Sequence, residues 1–241
     1  MATYGMVIDL HRCTGCAACV IGCKNENNLS EGIAWSDKIT RTTGTFPNVG
    51  YEYIPTLCNH CANAPCVAAC PTEAMYKDEN GITMLDVDKC IGCRYCMAAC
   101  PYGVIHFNDE EPHARWQDDT AVIPGGTSSP IELVEDVGGT TMPYYNPDRA
   151  ETMAGIRPQG VVEKCTFCDH RVGNGQLPYC VEVCPASARI FGDLDDPDSS
   201  VKKLLGTYSS RRLREDMGTE PRVHYIRSFQ TGSYEKTKGE V

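Results

Sequence analysis

Long apolar runs are missing from this 241-residue chain. No stretch approaches the ~20 residues that a helix needs to cross a bilayer. The opening MATYGMVIDLHRC has no charged segment followed by a long apolar one. The expectation is a protein neither anchored nor exported by a signal of its own, and carried by a partner if it works outside the cytoplasm. Basic charge is also short: 22 Lys and Arg face 32 Asp and Glu, a net of −10. Phosphate binding needs a basic surface, so nucleic acid is not expected as a partner. Nucleotide chemistry lacks its markers too. No G-x-G-x-x-G follows a strand pattern, and no P-loop string occurs.

Cysteine is what the chain has in excess. Sixteen fall into four groups of four: Cys13, Cys16, Cys19, Cys23; Cys58, Cys61, Cys66, Cys70; Cys90, Cys93, Cys96, Cys100; and Cys165, Cys168, Cys180, Cys184. The first and third groups are spaced C-x2-C-x2-C-x3-C, and three groups end in C-x3-C-P, at Pro71, Pro101 and Pro185. A [4Fe–4S] site of the bacterial kind takes three thiolates from such a tight loop and its fourth from another motif. Proline biases the cysteine before it out of the helical region, so the chain leaves extended. Cys23 is followed by Lys24 instead, which makes the first group atypical. Two other chemistries use cysteine in bulk. Disulfide frameworks belong to much shorter secreted chains, and zinc sites combine separated C-x2-C pairs rather than crowding four cysteines into each segment.

Internal repeats organise the chain. Asp9–Cys16 mirrors Asp86–Cys93, and Cys66–Pro71 mirrors Cys180–Pro185, the mark of a duplicated two-cluster unit. The expected class is α+β, with two ferredoxin-like units, the second inserted within the first. Residues 1–50 and 161–192 form the outer unit, 51–107 the inner one, 108–160 a cysteine-free insertion, and 193–241 a C-terminal helix, strand and tail. Four clusters would draw on Cys13, Cys16, Cys19 and Cys184; on Cys165, Cys168, Cys180 and Cys23; on Cys58, Cys61, Cys66 and Cys100; and on Cys90, Cys93, Cys96 and Cys70. Within the inner unit, Ala74–Lys77 and Ile82–Leu85 read as strands around the turn Asn80-Gly81. In the insertion, Ser129 as N-cap, Pro130, and Gly138-Gly139 as stop frame a helix at Ile131–Asp136, on what reads as a docking arm. Pro197–Leu205 reads as a further helix and Arg222–Phe229 as a terminal strand, with a polar tail after Gln230.

Around the ligands, Arg12, Lys89 and Lys164 each precede a first cysteine. Each either stands beside an anionic cluster, favouring its reduced form, or reaches solvent. Gly15, Gly22, Gly92, Ala98 and Ala99 suit loops that approach inorganic sulfide closely. Val20, Val67, Met97 and Val181 are expected to wall the sites with apolar surface. His60, His106 and His170 are expected to bond or pack rather than ligate, since sixteen cysteines fill sixteen positions. Tyr95 and Phe167 read as packing residues. No catalytic residue is expected. The open-iron string C-x3-C-x2-C is absent, the positions that would complete it being Glu26, Glu73, Gly103 and Ser187.

The strings GMVIDLHRCTGCAACVIGCKNENN, IPTLCNHCANAPCVAACPTEAM, DKCIGCRYCMAACPYGV, EKCTFCDHR and CVEVCP carry a resemblance along nearly the whole chain. It resembles the four-cluster iron–sulfur subunits of the dimethyl sulfoxide reductase family of molybdopterin oxidoreductases, which serve dimethyl sulfoxide, polysulfide, tetrathionate and respiratory arsenate reductases. The flanking WQDD, DLDDP and PRVHYIRSF look most like the arsenate reductase small subunits, and a reductase removing aromatic hydroxyls fits nearly as well. The resemblance implies an electron-transfer subunit that is not itself catalytic. Its partner would be a large subunit holding molybdenum with two pterin guanine dinucleotides, in anaerobic respiration. The cluster on Cys13, Cys16, Cys19 and Cys184 would face that subunit, and the one on Cys90, Cys93, Cys96 and Cys70 a quinol- or cytochrome-side donor. Relatives with tryptophan at the position of Cys93 hold a [3Fe–4S] cluster there, so cysteine implies four [4Fe–4S] clusters. Many such catalytic partners bear a twin-arginine export signal, which implies a complex on the extracytoplasmic face, a cytoplasmic one being the alternative. Iron–sulfur subunits of formate dehydrogenases or hydrogenases, and a zinc-based scaffold, are the alternative functions.

Overall fold

The computed structural model describes residues 2–110, 120–121, 123–138, 146, 148–149 and 157–227. Its centre is a four-stranded sheet in the order β8-β1-β10-β9, built from β8 (Arg189–Asp193), β1 (Tyr4–Asp9), β10 (Val223–Ile226) and β9 (Ser210–Arg211). β1 runs antiparallel to β8 and parallel to β10. The strand just before the first cysteine group is thereby joined to the strand just after the fourth. Alternate side chains of β1 serve two cores, as a pleated strand requires. Met6 and Ile8 pack into the core that holds Cys23, Cys58, Cys165 and Cys180, while Val7 packs with Val201 and Ile226 on the other face.

Short helices hold five of the cysteines, on α1 (Ala18–Glu26), α2 (Pro65–Ala68), α3 (Tyr95–Ala99) and α6 (Tyr179–Glu182), and α5 (Asp169–Val172) begins just after Cys168. α3 stops at Cys100, whose backbone is extended (φ −78°, ψ 115°) ahead of Pro101. Lys24, in the equivalent place of the first group, lets α1 run on to Glu26. The hairpin expected around Asn80-Gly81 forms as β4 (Met75–Lys77) and β5 (Thr83–Leu85), in register from Met75↔Leu85 to Lys77↔Thr83. A two-stranded ladder, β6 (His106–Phe107) with β7 (Val162–Glu163), closes the base of the excursion between residues 108 and 160.

Within that excursion, α4 (Pro130–Asp136) starts at Ser129 through a capping box. Ser129 Oγ accepts from Glu132 N at 3.2 Å, and Glu132 Oε2 accepts from Ser129 N at 2.9 Å. Gly139, the second stop glycine, and most of the supposed docking arm lie outside the described residues, as do WQDD, Phe229 and the tail after Gln230. The helix expected at Pro197–Leu205 is α7 (Ser200–Thr207), which starts later because the Ser199 side chain caps it by accepting from Lys202 N. The terminal strand is β10 alone among the described residues.

One element has no counterpart in the sequence reading. β2 (Ser36–Thr45) and β3 (Asn48–Leu57) form a ten-residue ribbon turning at Phe46-Pro47. The outer part of β2, Arg41–Thr45, is wholly polar, so that strand lacks the apolar alternation that flags one, although Val49, Tyr51 and Tyr53 alternate along β3. Its base packs Ile39, Ile54 and Leu57 into the cysteine core. Its far end exposes Phe46, Val49 and Tyr51.

Candidate metal centres

The leading C-x2-C pair of each group shares one backbone device. The residue just before the second cysteine has positive φ in every group: Gly15 (+70°), His60 (+43°), Gly92 (+65°) and Phe167 (+56°). This left-handed step turns the second thiol back toward the first. In the two C-x2-C-x2-C loops a second such residue follows, Ala17 (+64°) and Arg94 (+63°), so the duplicated motif also has duplicated geometry. Side chains in this region cost about 1–2 kcal/mol. His60 and Phe167 occupy it as a stacked ring pair, centroids 3.7 Å apart, each almost wholly buried.

Glycine was expected at these loops so that sulfide could come close. The structure adds a need set by protein neighbours. A Cβ on Gly15 would lie 2.5 Å from the Tyr53 ring, and one on Gly92 would lie 2.2 Å from the Gly160 carbonyl oxygen. Gly15→Ala should therefore lower the temperature at which the anaerobic protein loses its visible absorbance. The same change should cost less in a Tyr53→Ala background; an equal cost in both would show that the ring is not the obstacle.

The turns gather cysteines across groups. Cys13, Cys16, Cys19 and Cys184 line one cavity, ≈ 400 Å³ with the solvent at its mouth. Cys58, Cys61, Cys66 and Cys100 line a second, ≈ 310 Å³ counted the same way. Cys70, Cys90, Cys93 and Cys96 line a third, ≈ 280 Å³ on that count. The remaining four, Cys23, Cys165, Cys168 and Cys180, are all buried and act electrostatically on one another. Each of the three cavities thus takes three cysteines from one group and one from another. Among the described residues no three His, Cys, Asp or Glu side chains converge closely enough to hold a single metal ion. Zinc would draw four sulfurs to about 2.3 Å from one point, whereas these surround a volume.

The sets lie in a row. Cys19 and Cys23 both sit on α1 and serve the first and second sets. Cys165 of the second set feels the charge of Cys58 in the third. Cys66 on α2 and Cys70 just beyond it serve the third and fourth. The two exposed cysteines, Cys16 and Cys93, belong to the sets at the two ends.

As free thiols several of the buried groups are poorly disposed to ionise. Burial, reinforced by neighbouring sulfurs, pushes Cys66 and Cys168 up to about 12 and Cys96 up to about 11, and raises Cys23 and Cys165 further. Cys16, at the surface, is lowered by the backbone N–H of Ala18. Ligation that removes the protons offsets this burial cost, the usual linkage of metal binding to folding. Donors already face the sulfurs. The N–H groups of Met75, Phe167 and Ala188 donate to Cys70, Cys165 and Cys184 at 3.5, 3.4 and 3.3 Å, and Asn27 Nδ2 donates to Cys23 at 3.5 Å. Four thiols around a volume, with N–H donors aimed at sulfur, fit an iron–sulfur cube.

The three cations before the first cysteines divide. Arg12 and Lys89 have largely exposed side chains and pair with Asp9 (3.5 Å) and Asp86 (3.2 Å), the same i,i+3 arrangement in both repeats. Lys164 is 1 % exposed, and its ammonium donates to the carbonyls of Thr83 and Cys165. The solvent reading holds for the first two and fails for Lys164. His170 Nε2 meets Glu26 Oε1 at 2.7 Å and its Nδ1 meets Arg149. His60 Nδ1 accepts from Thr83 N at 3.1 Å, and His106 lies on β6 opposite Glu163. Phe167 is buried and Tyr95 exposed. Val67 and Met97 pack around Cys66 and Cys96, Val181 packs into the main core, and Val20 is half-buried. Two cations by the sulfurs lie far from any cysteine group's first ligand and escaped the sequence reading. Lys77 donates to the carbonyls of His60, Cys61 and Gly81, and Arg189 lines the first cavity.

Comparison with known proteins places iron–sulfur domains over this part of the chain. Two models of 4Fe–4S dicluster domains match residues 49–118 and 89–188. The chain is 56% identical to the arsenate respiratory reductase iron–sulfur subunit ArrB of Shewanella sp. strain ANA-3, over 93% of this chain and 96% of that one. It is 44% identical to the iron–sulfur subunit assigned to a dimethyl sulfoxide reductase of Halobacterium salinarum, over 94% and 79%. It is 32% identical to the B polypeptide of polysulfide reductase from Wolinella succinogenes, over 95% and 96%. With cysteines gathered around cavities and such likeness over nearly its full length, this protein belongs to the family of 4Fe–4S dicluster electron-transfer subunits of anaerobic reductases.

Proposed function

We propose that this chain holds four [4Fe–4S] clusters and relays single electrons between a quinol- or cytochrome-side donor and the molybdopterin subunit of an anaerobic reductase, of the arsenate reductase kind. The observation that carries the reading is the crossing of cysteines between groups, which matches the swapped fourth ligand of two-cluster ferredoxins. Cys13, Cys16, Cys19 and Cys184 would hold the first cluster, Cys23, Cys165, Cys168 and Cys180 the second, Cys58, Cys61, Cys66 and Cys100 the third, and Cys70, Cys90, Cys93 and Cys96 the fourth. The outer unit, residues 1–50 and 161–192, is then stapled around the inner unit, 51–107, and the pairing of β1 with β8 supports that nesting.

When bound, each cluster supplies a one-electron redox site, and a row of four carries charge through the chain. The protein's own residues determine where that row meets partners and how dry it is. The thiols of the second set are all buried, within a core that includes Ile8, Leu10, Phe167 and Tyr225. The ends come to the surface at Cys16, with exposed Ile21 nearby on α1, and at Cys93, flanked by exposed Ile91 and Tyr95. The Cys16 end faces the catalytic subunit and the Cys93 end faces the donor. No helix among the described residues is long and apolar enough to cross a membrane. The complex works on the extracytoplasmic face, this chain travelling there with its catalytic partner.

Anaerobic purification tests the reading: about sixteen irons and as many acid-labile sulfides per chain are expected, with a large molybdenum-containing polypeptide co-purifying. Colourless protein containing zinc would sink it. Cys93→Ser should alter one reduction potential in an EPR-monitored titration and leave three in place. A common shift of all four would refute the separate ligand sets.

A further inference from the structure

Arg189 is 2 % exposed at the start of β8. Its Nη2 donates to Ser36 Oγ at 2.8 Å, while Nε and Nη1 have no nitrogen or oxygen partner and the guanidinium faces the Cys180 thiol. No carboxylate among the described residues pairs with it. A guanidinium buried without a counter-ion is costly, and breaking a buried pair in this way is strongly destabilising. The anion that would offset it is therefore sought in what surrounds the side chain. Arg189 lines the first cavity beside Cys13, Cys19 and Cys184. It also lies against Cys180 of the second set, and its charge reaches Cys23. It thus stands between the two outer sites and touches both.

We propose that Arg189 is a redox-tuning cation shared by the first and second sites, its charge answered by the ligated thiolates of both rather than by a carboxylate. The inference rests on the reading of those two sets as cluster sites. Each electron added makes a site more negative, and a fixed positive charge beside it stabilises that reduced form. Lys38, which also lines the first cavity, is half-buried and lies over the Tyr53 ring, and Arg12 is largely in solvent. Water and salt screen charges so placed. Arg189 is sealed from both, so its effect persists at high ionic strength. Lysine at this place keeps the charge but not the planar fork.

The full chain, isolated anaerobically, is titrated by EPR as wild type, Arg189→Met and Arg189→Lys, at low and high salt. The expected result is a fall in two of four midpoint potentials in Arg189→Met, the other two holding, with Arg189→Lys close to wild type. Four unchanged potentials in a fully loaded Arg189→Met would overturn the proposal, as would an Arg189→Lys shift as large as that of Arg189→Met. If Arg189→Met takes up too little iron to titrate, Arg189→Lys decides. Full iron with wild-type potentials upholds the shared cation, and poor loading or lowered potentials overturn it. Wild-type protein without iron would instead remove the cluster reading itself, an outcome separate from these.

Discussion

Replacing Cys165 by serine is expected to remove about a quarter of the iron, from about sixteen to about twelve atoms per chain, and to interrupt the relay at its middle. Cys165 is 6 % exposed. Its thiol feels Cys23, Cys180 and Cys168 of its own set and Cys58 of the next, so it stands at the joint between the outer and inner pairs. The Phe167 N–H donates to its sulfur at 3.4 Å, and the Lys164 ammonium donates to its carbonyl at 2.9 Å. Losing this thiolate leaves a buried set of sulfurs with no metal to hold it. The change should therefore also weaken the fold, unlike Cys93→Ser at the exposed end. Iron and sulfide analysis gives the stoichiometry. Stopped-flow reduction from the donor side should then show three clusters present and electrons held on the inner pair. A Cys165→Ser protein that keeps sixteen irons and passes electrons at the wild-type rate would exclude Cys165 as a ligand.

The second large effect is expected at Arg157. Its side chain is 3 % exposed and lies in a fork–fork pair with the almost equally buried Glu163: Nε donates to Oε2 at 2.6 Å and Nη2 to Oε1 at 2.8 Å. Trp35 Nε1 donates to the same carboxylate at 3.3 Å, and Arg157 Nη1 also reaches Ser30. Asn108 Nδ2 donates to the Arg157 carbonyl at 2.7 Å. The network ties the segment after α1 to both ends of the cysteine-free excursion, one residue before Lys164 and the fourth group. Arg157→Met strands a buried carboxylate and should cost about 3–5 kcal/mol. The denaturant concentration at which cluster absorbance is lost should fall accordingly. Removing both charges, in Arg157→Met with Glu163→Leu, should recover much of the loss, because two apolar side chains leave no unpaired charge. Equal losses in the single and double variants would show that the pair is not the source of the stability.

Much of the local structure was readable in the residues. Pro101 predicts the extended exit of Cys100, Asn80-Gly81 the inner hairpin, and Ser129 with Pro130 the start of α4. Each is a short-range effect, decided by backbone sterics or by a hydrogen bond three residues long. The β2–β3 ribbon was not anticipated: the outer part of β2 is wholly polar, and only β3 carries an alternating signal, at Val49, Tyr51 and Tyr53. Nor was the contact of His60 with Phe167, two residues 107 positions apart that meet only when the second and fourth groups adjoin.

Cysteine number and spacing by themselves pointed to the chemistry, since thiolates crowded into tight loops suit iron–sulfur clusters. Tertiary structure alone decided which charges are buried beside those sulfurs. Arg12 and Lys89 hold the obvious places next to a first ligand, yet they reach water because β1 and the inner hairpin deliver them to the surface. Arg189 and Lys77 lie well away from any first ligand along the chain, and β8 and β4 carry them inward. The strength of a charge depends on the medium around it, and packing, not sequence distance, sets that medium.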